Sequence, residues 1–241
     1  MTPEEFRKKL LEDGIEISDH QLEQFEIYFK ELVETNKVMN LTSITEKDQV
    51  YLKHFYDSII LGIVSPDILS GSMTLCDVGS GAGFPSIPLK IINPQLKITI
   101  IDSLNKRIKF LDNLVNKLGL EDVNLVHARA EEFGKSDARE SFDIVTARAV
   151  AALNILAEFC LPLTKVGGKF VALKAEKASQ EIEEGKYAVD ELGGEISNQI
   201  EIALPNNEGI RNILFIDKIK ETPAKYPRKP GTPVKKPLTA N

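Results

Sequence analysis

At 241 residues and 42% hydrophobic, the chain is long enough for one sizeable domain with appendages and carries enough apolar residues for a proper core. No run approaches the ~18 apolar residues of a membrane span, and Glu4, Glu5, Arg7, Lys8 and Lys9 put charge where a secretory signal needs an apolar stretch, so the cytoplasm is the expected location. The formal net charge of −6 is unevenly spread: from Lys220 onward six Lys or Arg face one acid, a balance of +5 that leaves −11 for the rest. A basic tail on an acidic body argues for a polyanionic partner touched by the tail, and against a whole-surface nucleic-acid binder.

Residues 3 to about 35 read as two helices, with Phe6, Leu10, Leu11, Leu22, Phe25, Phe29 and Leu32 mostly at three- and four-residue spacing and Ser18 as an N-cap. A third helix runs from about Thr45 to Leu61. It carries His54, read as a surface or capping histidine because no acid or nucleophile pairs with it at a telling spacing. Ser65-Pro66-Asp67 and Ser70-Gly71-Ser72 break the pattern and divide a helical cap, 1–70, from the main domain, 71–219.

From there strand and helix alternate. Strand Met73–Val78 runs into Asp77-Val78-Gly79-Ser80-Gly81-Ala82-Gly83-Phe84-Pro85, with a helix expected from Phe84 and Pro85 in its first turn. Strand Leu96–Ile101 ends at Asp102, and Ser103 is placed to cap a helix that ends at Gly119. Strand Val123–His127 leads into Arg129-Ala130-Glu131, strand Phe142–Ala147 into Arg148-Ala149-Val150, then comes a helix from about Ala152 to Leu161. Gly167-Gly168 reads as a turn into strand Lys169–Lys174, followed by a charged helix from Glu176 and two closing strands, about Glu195–Ala203 and Arg211–Ile219. Strands separated by helices require right-handed crossovers, so the fold class is α/β with a mainly parallel sheet and a ligand at the strands' carboxyl ends; the closing pair is a hairpin. The tail, 220–241, holds five prolines among Lys and Arg and is expected to be extended, with Tyr226 offering a stacking surface beside phosphate contacts.

The chemistry concentrates at the glycine loop. Glycines at 79, 81 and 83 allow positive φ and a close approach by something bound, and Asp102, roughly 20 residues on, is placed to accept hydrogen bonds from ribose hydroxyls. The spacing D-x-G-x-G-x-G departs from the G-x-G-x-x-G of dinucleotide sites, whose helix N-terminus faces a pyrophosphate. It resembles the first motif of class I S-adenosylmethionine-dependent methyltransferases, whose ligand carries cationic groups and no phosphate. Glu131 or the Ala130 amide lies where an adenine edge is read. Arg129 and Arg148 suit a substrate phosphate or guanine acceptors, with Lys174 and Arg211 weaker candidates at strand ends. Cys76 and Cys160 show neither C-x-x-C nor His-flanked spacing and read as buried thiols, so no metal site is expected. The Asn/Asp-Pro-Pro-aromatic motif of exocyclic amine methylation and the Pro-Cys nucleophile of ring-carbon methylation are both absent, which leaves a ring nitrogen as an attractive target.

Across the whole chain the sequence resembles the bacterial RsmG family, also called glucose-inhibited division protein B. The stretches that carry the resemblance are Asn40-Leu41-Thr42, Lys53-His54-Phe55-Tyr56-Asp57-Ser58, Asp77 to Pro85, Asp102-Ser103-Leu104-Asn105-Lys106-Arg107, Arg129-Ala130-Glu131, Thr146-Ala147-Arg148-Ala149 and Tyr226-Pro227-Arg228-Lys229-Pro230-Gly231. The resemblance implies a Rossmann-like seven-stranded sheet and transfer of methyl from S-adenosylmethionine to N7 of one guanosine, 527 in the family's rRNA numbering, in the 530 loop of 16S rRNA. It implies cofactor contacts at Gly79, Phe84, Ala130, Glu131 and Arg148, to which the loop reading adds Gly81, Gly83 and Asp102. Arg148 and Arg129 are then the catalytic candidates. Arg129, Lys174, Arg211, Lys225, Tyr226, Arg228, Lys229, Lys235 and Lys236 are the RNA-facing ones; no metal and no obligate protein partner are expected. Residue spacing alone reaches only an adenosyl-cofactor transferase with a basic tail, and leaves open a small-molecule or protein methyltransferase or a non-catalytic RNA-binding assembly factor.

Overall fold

The computed structural model describes residues 1–148, 151–174 and 178–240. Ala149 and Val150 of the expected turn, Glu176 and Lys177 at the expected helix start, and Asn241 lie outside them. Seven strands, β1 (Thr74–Val78), β2 (Lys97–Asp102), β3 (Val123–His127), β4 (Phe142–Arg148), β5 (Thr164–Lys174), β6 (Gly194–Ala203) and β7 (Ile210–Lys218), form one sheet in the order β3-β2-β1-β4-β5-β7-β6. β4 runs parallel to both β1 and β5, while β7 is antiparallel to β5 and to its hairpin partner β6. The order runs outward from β1 in one direction and from β4 in the other, so the carboxyl ends of β1 and β4 flank the switch point where ligands bind in open α/β sheets. The expected α/β sheet with a closing hairpin is therefore present.

By their contacts the residues fall into two units, one of Met1–Met73, Ser80–Ile100 and Leu104–Leu125, the other of Thr74–Gly79, Ile101–Ser103 and Val126–Asn241. In the first, α1 (Pro3–Glu12) and α2 (Asp19–Met39) each begin with a reciprocal capping box, Thr2 with Glu5 and Ser18 with Gln21, so two of the orphan donors at each N-terminus are satisfied. The third helix is not continuous: α3 (Lys47–Val50) passes through a π-helical turn, Tyr51–Tyr56, into α4 (Asp57–Val64). That turn sets Tyr51 and Phe55 into an aromatic cluster, with Tyr51 edge-on to Phe6 at 5.4 Å and Phe55 5.1 Å from Phe25. After the glycine loop, α5 (Ser86–Ile92) starts two residues later than expected, with Pro85 as its N-cap. Helix α6 (Asn105–Leu118) is preceded by Leu104 at the N-cap, so Ser103 does not cap it, and it ends on left-handed Gly119 as expected. Gln24 reaches over to donate to the Leu118 carbonyl at 2.7 Å, filling an acceptor that the helix end leaves open.

The second unit holds α7 (Ala130–Phe133), α8 (Leu153–Cys160), α9 (Ala178–Glu191) and α10 (Thr232–Lys235). Its core joins Cys76, Val78, Val145 and Phe170 of the sheet to Leu153, Leu156 and Cys160 of α8, and to Ala188 and Val189 of α9. Gly167 and Gly168 lie inside β5, where the register against β4 shifts between Phe142 and Ile144; the glycine pair makes a bulge where a turn was expected. Both cysteines are free and buried, and burial together with the Asp77 charge raises both thiols well above their ordinary pKa, which keeps them protonated.

The tail departs most from expectation. It is docked on the second unit, with Tyr226 and Pro233 buried and a turn of helix at α10. Lys218, whose side chain is fully buried, starts the docking by donating to the Leu161 carbonyl and Thr222 Oγ1, both at 2.6 Å, and pairs with Glu140 at 2.8 Å. Burial by itself raises the Glu140 carboxyl, but hydrogen bonds from Lys218 and the Thr222 N–H and the charges of Lys218 and Arg139 outweigh it and hold the group below the usual carboxylate range. A folded-state pKa below the unfolded one gives stability that is fully present above the unfolded value, about 4.3, and is lost as pH falls through the folded value. Glu140→Gln is therefore expected to lower the melting temperature by a few degrees near neutrality, with the gap to the unaltered protein closing as pH drops below about 4; melting curves across that range check it.

Candidate functional site

In the second unit the strands' carboxyl ends are tied to one another by backbone. The Gly79 N–H, one residue beyond β1, donates to the Ile101 carbonyl at 2.8 Å, and the Asp102 carbonyl at the end of β2 accepts from the Ala128 N–H at 3.2 Å. A His127 ring nitrogen lies 3.0 Å from the Ser103 carbonyl. These bonds fix three expected site positions at one edge of the sheet: Gly79, Asp102 and the Arg129–Glu131 turn. Asp102 is only 3% exposed. Arg148 closes β4, half-buried, with its backbone opposite Leu173 of β5.

The Arg129–Glu131 turn opens α7. Arg129 is exposed and makes no side-chain ion pair among the described residues, so its guanidinium is available to an anion. Glu131 is 4% exposed, and its Oε1 accepts from the Gly231 N–H at 2.8 Å. One oxygen of its carboxylate is thus engaged by the tail.

In the first unit the rest of the glycine loop is tightly built. Gly81 has φ +63° and open space where a Cβ would stand; Gly83 has φ +100°, and a Cβ there would approach Ile87 Cγ1 to 2.7 Å and the Tyr28 hydroxyl to 2.8 Å. That hydroxyl donates to the Ala82 carbonyl at 2.6 Å. The Phe84 ring is sandwiched, stacked on Tyr28 at 5.4 Å and on His54 at 4.6 Å, with interplanar angles of 14° and 16°. The Phe84 ring is therefore engaged by two stacked neighbours. His54 is buried and its Nε2 lies 2.8 Å from Thr42 Oγ1, which corrects the surface reading of this histidine. Sequence spacing missed this arrangement because the stacking partners are 30 and 56 residues apart; the π-helical turn that makes it has no pattern in the sequence.

Four of the RNA-facing expectations are corrected by their contacts. Tyr226 is buried with its hydroxyl donating to Glu191 at 3.2 Å, so its ring is no stacking platform. Arg228 grips Glu158 through Nε at 2.9 Å, Nη2 at 2.6 Å and its own backbone N–H at 2.7 Å, and Lys225 pairs with Glu191 at 2.8 Å. Lys174 is held by Glu181 at 2.9 Å and by the Ala151 carbonyl. Arg211 is the second residue of β7, next to Asn212, whose register partner is Lys174. Lys229, Lys235 and Lys236 are exposed and carry no ion pair among the described residues. The anchor Glu158 was missed, although an acid alone in the apolar run Leu156-Ala157-Glu158-Phe159-Cys160-Leu161 is the signature of a buried carboxylate in need of a partner. Among the described residues no group of His, Cys, Asp and Glu has the arrangement of a metal site.

A family model described as GidB, rRNA small subunit methyltransferase G, matches residues 21–206. The chain belongs to this family. This GidB-family chain is 56% identical over 240 residues to the ribosomal RNA small subunit methyltransferase G of Ligilactobacillus salivarius, covering 99% of the chain and all of that relative. Against the Staphylococcus epidermidis protein of the same name it is 57% identical over 238 residues, covering 99% of each. Among solved structures, an S-adenosylmethionine-dependent methyltransferase from Aquifex aeolicus matches with a TM-score of 0.53 at 18% identity, covering 73% of this chain and 96% of that one. The TYW2 protein of M. jannaschii, solved with AdoMet, matches with a TM-score of 0.52 at 16% identity over 67% of this chain and 77% of its own. At such identities the structural matches establish that the GidB-family chain has the class I methyltransferase fold.

Proposed function

We propose that this chain methylates N7 of one guanosine, 527 in the family's numbering, in the 530 loop of the 16S rRNA, in the cytoplasm, using S-adenosylmethionine. The single observation that carries the reading is membership of the GidB family over nearly the whole chain. The residues fit the cofactor: Gly81 leaves open space beside a loop bent at positive φ, and the buried acid Asp102 ends the next strand. An acidic, glycine-rich edge suits a cationic nucleoside without phosphate. When bound, S-adenosylmethionine supplies a methyl group activated by its sulfonium.

In this reading the Gly79–Gly83 loop and the amides of Ala130 and Glu131 bind the cofactor, and Asp102 accepts from its ribose hydroxyls. Phe84, locked between Tyr28 and His54, keeps the loop's shape. Guanine N7 has a free lone pair and no proton to lose, so the chain's work is orientation and exclusion of water, with no general base. Arg148 donates to the guanine O6 or an adjacent phosphate, and Arg129, Lys229, Lys235 and Lys236 meet the RNA backbone. Residues 1–70 serve as a helical cap, 71–219 as the catalytic domain and 220–241 as its C-terminal extension.

Arg148→Ala is expected to reduce kcat by about 10²-fold, the usual cost of one preorganised donor at a reacting group, while the melting temperature stays within about two degrees. Single-turnover assays beside melting curves check it. The function itself is tested by mass mapping of 16S rRNA from cells lacking the protein, before and after it is restored. One methyl on a guanosine of the 530 loop should be missing and then return; an identical modification pattern in both samples would overturn the proposal.

A further inference from the structure

The Ala130–Glu131 turn stands on α7, a helix of four residues, and a single helical turn has no independent stability in water. Its position must come from what holds it, and the C-terminal segment holds it at both ends. At the start, the Gly231 N–H donates to the carboxylate of Glu131 at 2.8 Å. At the finish, the Arg139 guanidinium donates through Nη1 to the carbonyls of Gly134 at 3.2 Å and Tyr226 at 2.8 Å, and through Nη2 to that of Thr222 at 2.6 Å. Pro227 packs so near Gly134 that a Cβ there would come within 3.1 Å of its Cγ.

The segment is itself anchored. Glu158 on α8 has no solvent exposure, and both its oxygens are taken by Arg228, through two guanidinium nitrogens and the backbone N–H. Withdrawing the segment would strand that carboxylate unpaired in the core, which is strongly unfavourable. The Tyr226 ring adds its burial in the same core.

We propose that Tyr226–Gly231 is a positioning element for the cofactor turn: it fixes Glu131 from the protein side and thereby sets the affinity for S-adenosylmethionine. The inference rests on the reading of Ala130 and Glu131 as cofactor contacts. Glu131 acts here through its carboxylate as a positioning residue, with the backbone amides left for the ligand. By linkage, cofactor binding firms the segment as much as the segment firms the site.

A chain ending at Lys229 tests this, because it loses the Gly231 donor and keeps Tyr226, Arg228 and the Glu158 anchor. Calorimetric titration with S-adenosylmethionine in the absence of RNA is expected to show Kd raised about tenfold, the scale of one hydrogen bond to a charged acceptor. Glu131→Ala in the full chain should show a similar loss, Glu131→Gln, which keeps the acceptor oxygen, a smaller one, and truncation added to Glu131→Ala no further loss beyond about twofold. A truncated chain that binds the cofactor as the full chain does, or that loses affinity equally in the Glu131→Ala background, would overturn the proposal. Should the truncated chain fail to fold, the Ala and Gln variants decide: equal affinities for the two overturn it. Gly81→Val distinguishes a failed pocket from a failed positioning role. If that variant blocks cofactor binding while truncation changes nothing, only the positioning role falls; if it binds normally, the pocket reading falls and the inference with it.

Discussion

Gly81→Val is expected to abolish S-adenosylmethionine binding in a protein that remains folded. Gly81 sits at φ +63° with nothing within 4 Å of where a side chain would begin. A β-branched residue there costs about 1–3 kcal/mol in backbone strain, which a domain with roughly 5–15 kcal/mol of stability survives. In the proposed reading the open space that lets valine fit is the space the cofactor takes, so a loss of at least about 100-fold in affinity, about 2.7 kcal/mol, is expected from steric intrusion. Gly83→Ala supplies the contrast. Its new methyl would meet Ile87 and the Tyr28 hydroxyl, both within 3 Å, so that variant should lose melting temperature along with binding. Calorimetry and melting curves on the pair separate a ligand-facing glycine from a packing one.

Asp102→Ala is expected to produce the second largest effect. The Asp102 side chain is buried at the end of β2, and its backbone carbonyl accepts from the Ala128 N–H. Two ribose hydroxyls donating to this carboxyl group would contribute about 1.5–3 kcal/mol each, and losing both should weaken cofactor binding by roughly 10²–10⁴-fold. Asp102→Asn, which keeps an acceptor oxygen but loses the charge, should recover part of it. If affinity for S-adenosylmethionine fell no further in the alanine variant than in the asparagine one, the ribose assignment would be wrong.

The alternation of strands and helices was readable because each strand is a short apolar run bounded by glycine, proline or a capping residue, and those signals are local. Where the reading slipped, a local signal was overruled by a contact. The glycine pair at 167 and 168 has turn chemistry, yet the pairing of β4 with β5 absorbs it as a bulge. The tail, rich in proline and lysine, looks solvated on composition, yet one buried acid 70 residues earlier, Glu158, draws Arg228 inward and carries Tyr226 with it. Candidate site positions on strand ends, Gly79, Asp102 and Arg148, were found at one sheet edge because strand-end placement follows from topology. His54 was read as a surface residue because its meaning lies in a stack with Phe84, and stacking leaves no trace in spacing.

The claim on which the account stands is that a cationic nucleoside held by the glycine loop gives its methyl to one unprotonated ring nitrogen of RNA. The purified protein, S-adenosylmethionine labelled in the methyl group and small ribosomal subunits from cells lacking the protein test it in one reaction. The account predicts label in 16S rRNA approaching one methyl per particle, with reduction and aniline treatment, which cut the chain at N7-methylguanosine, giving a single new break in the 530 loop. Label on ribosomal protein, on an exocyclic amine or scattered over several guanosines would contradict it.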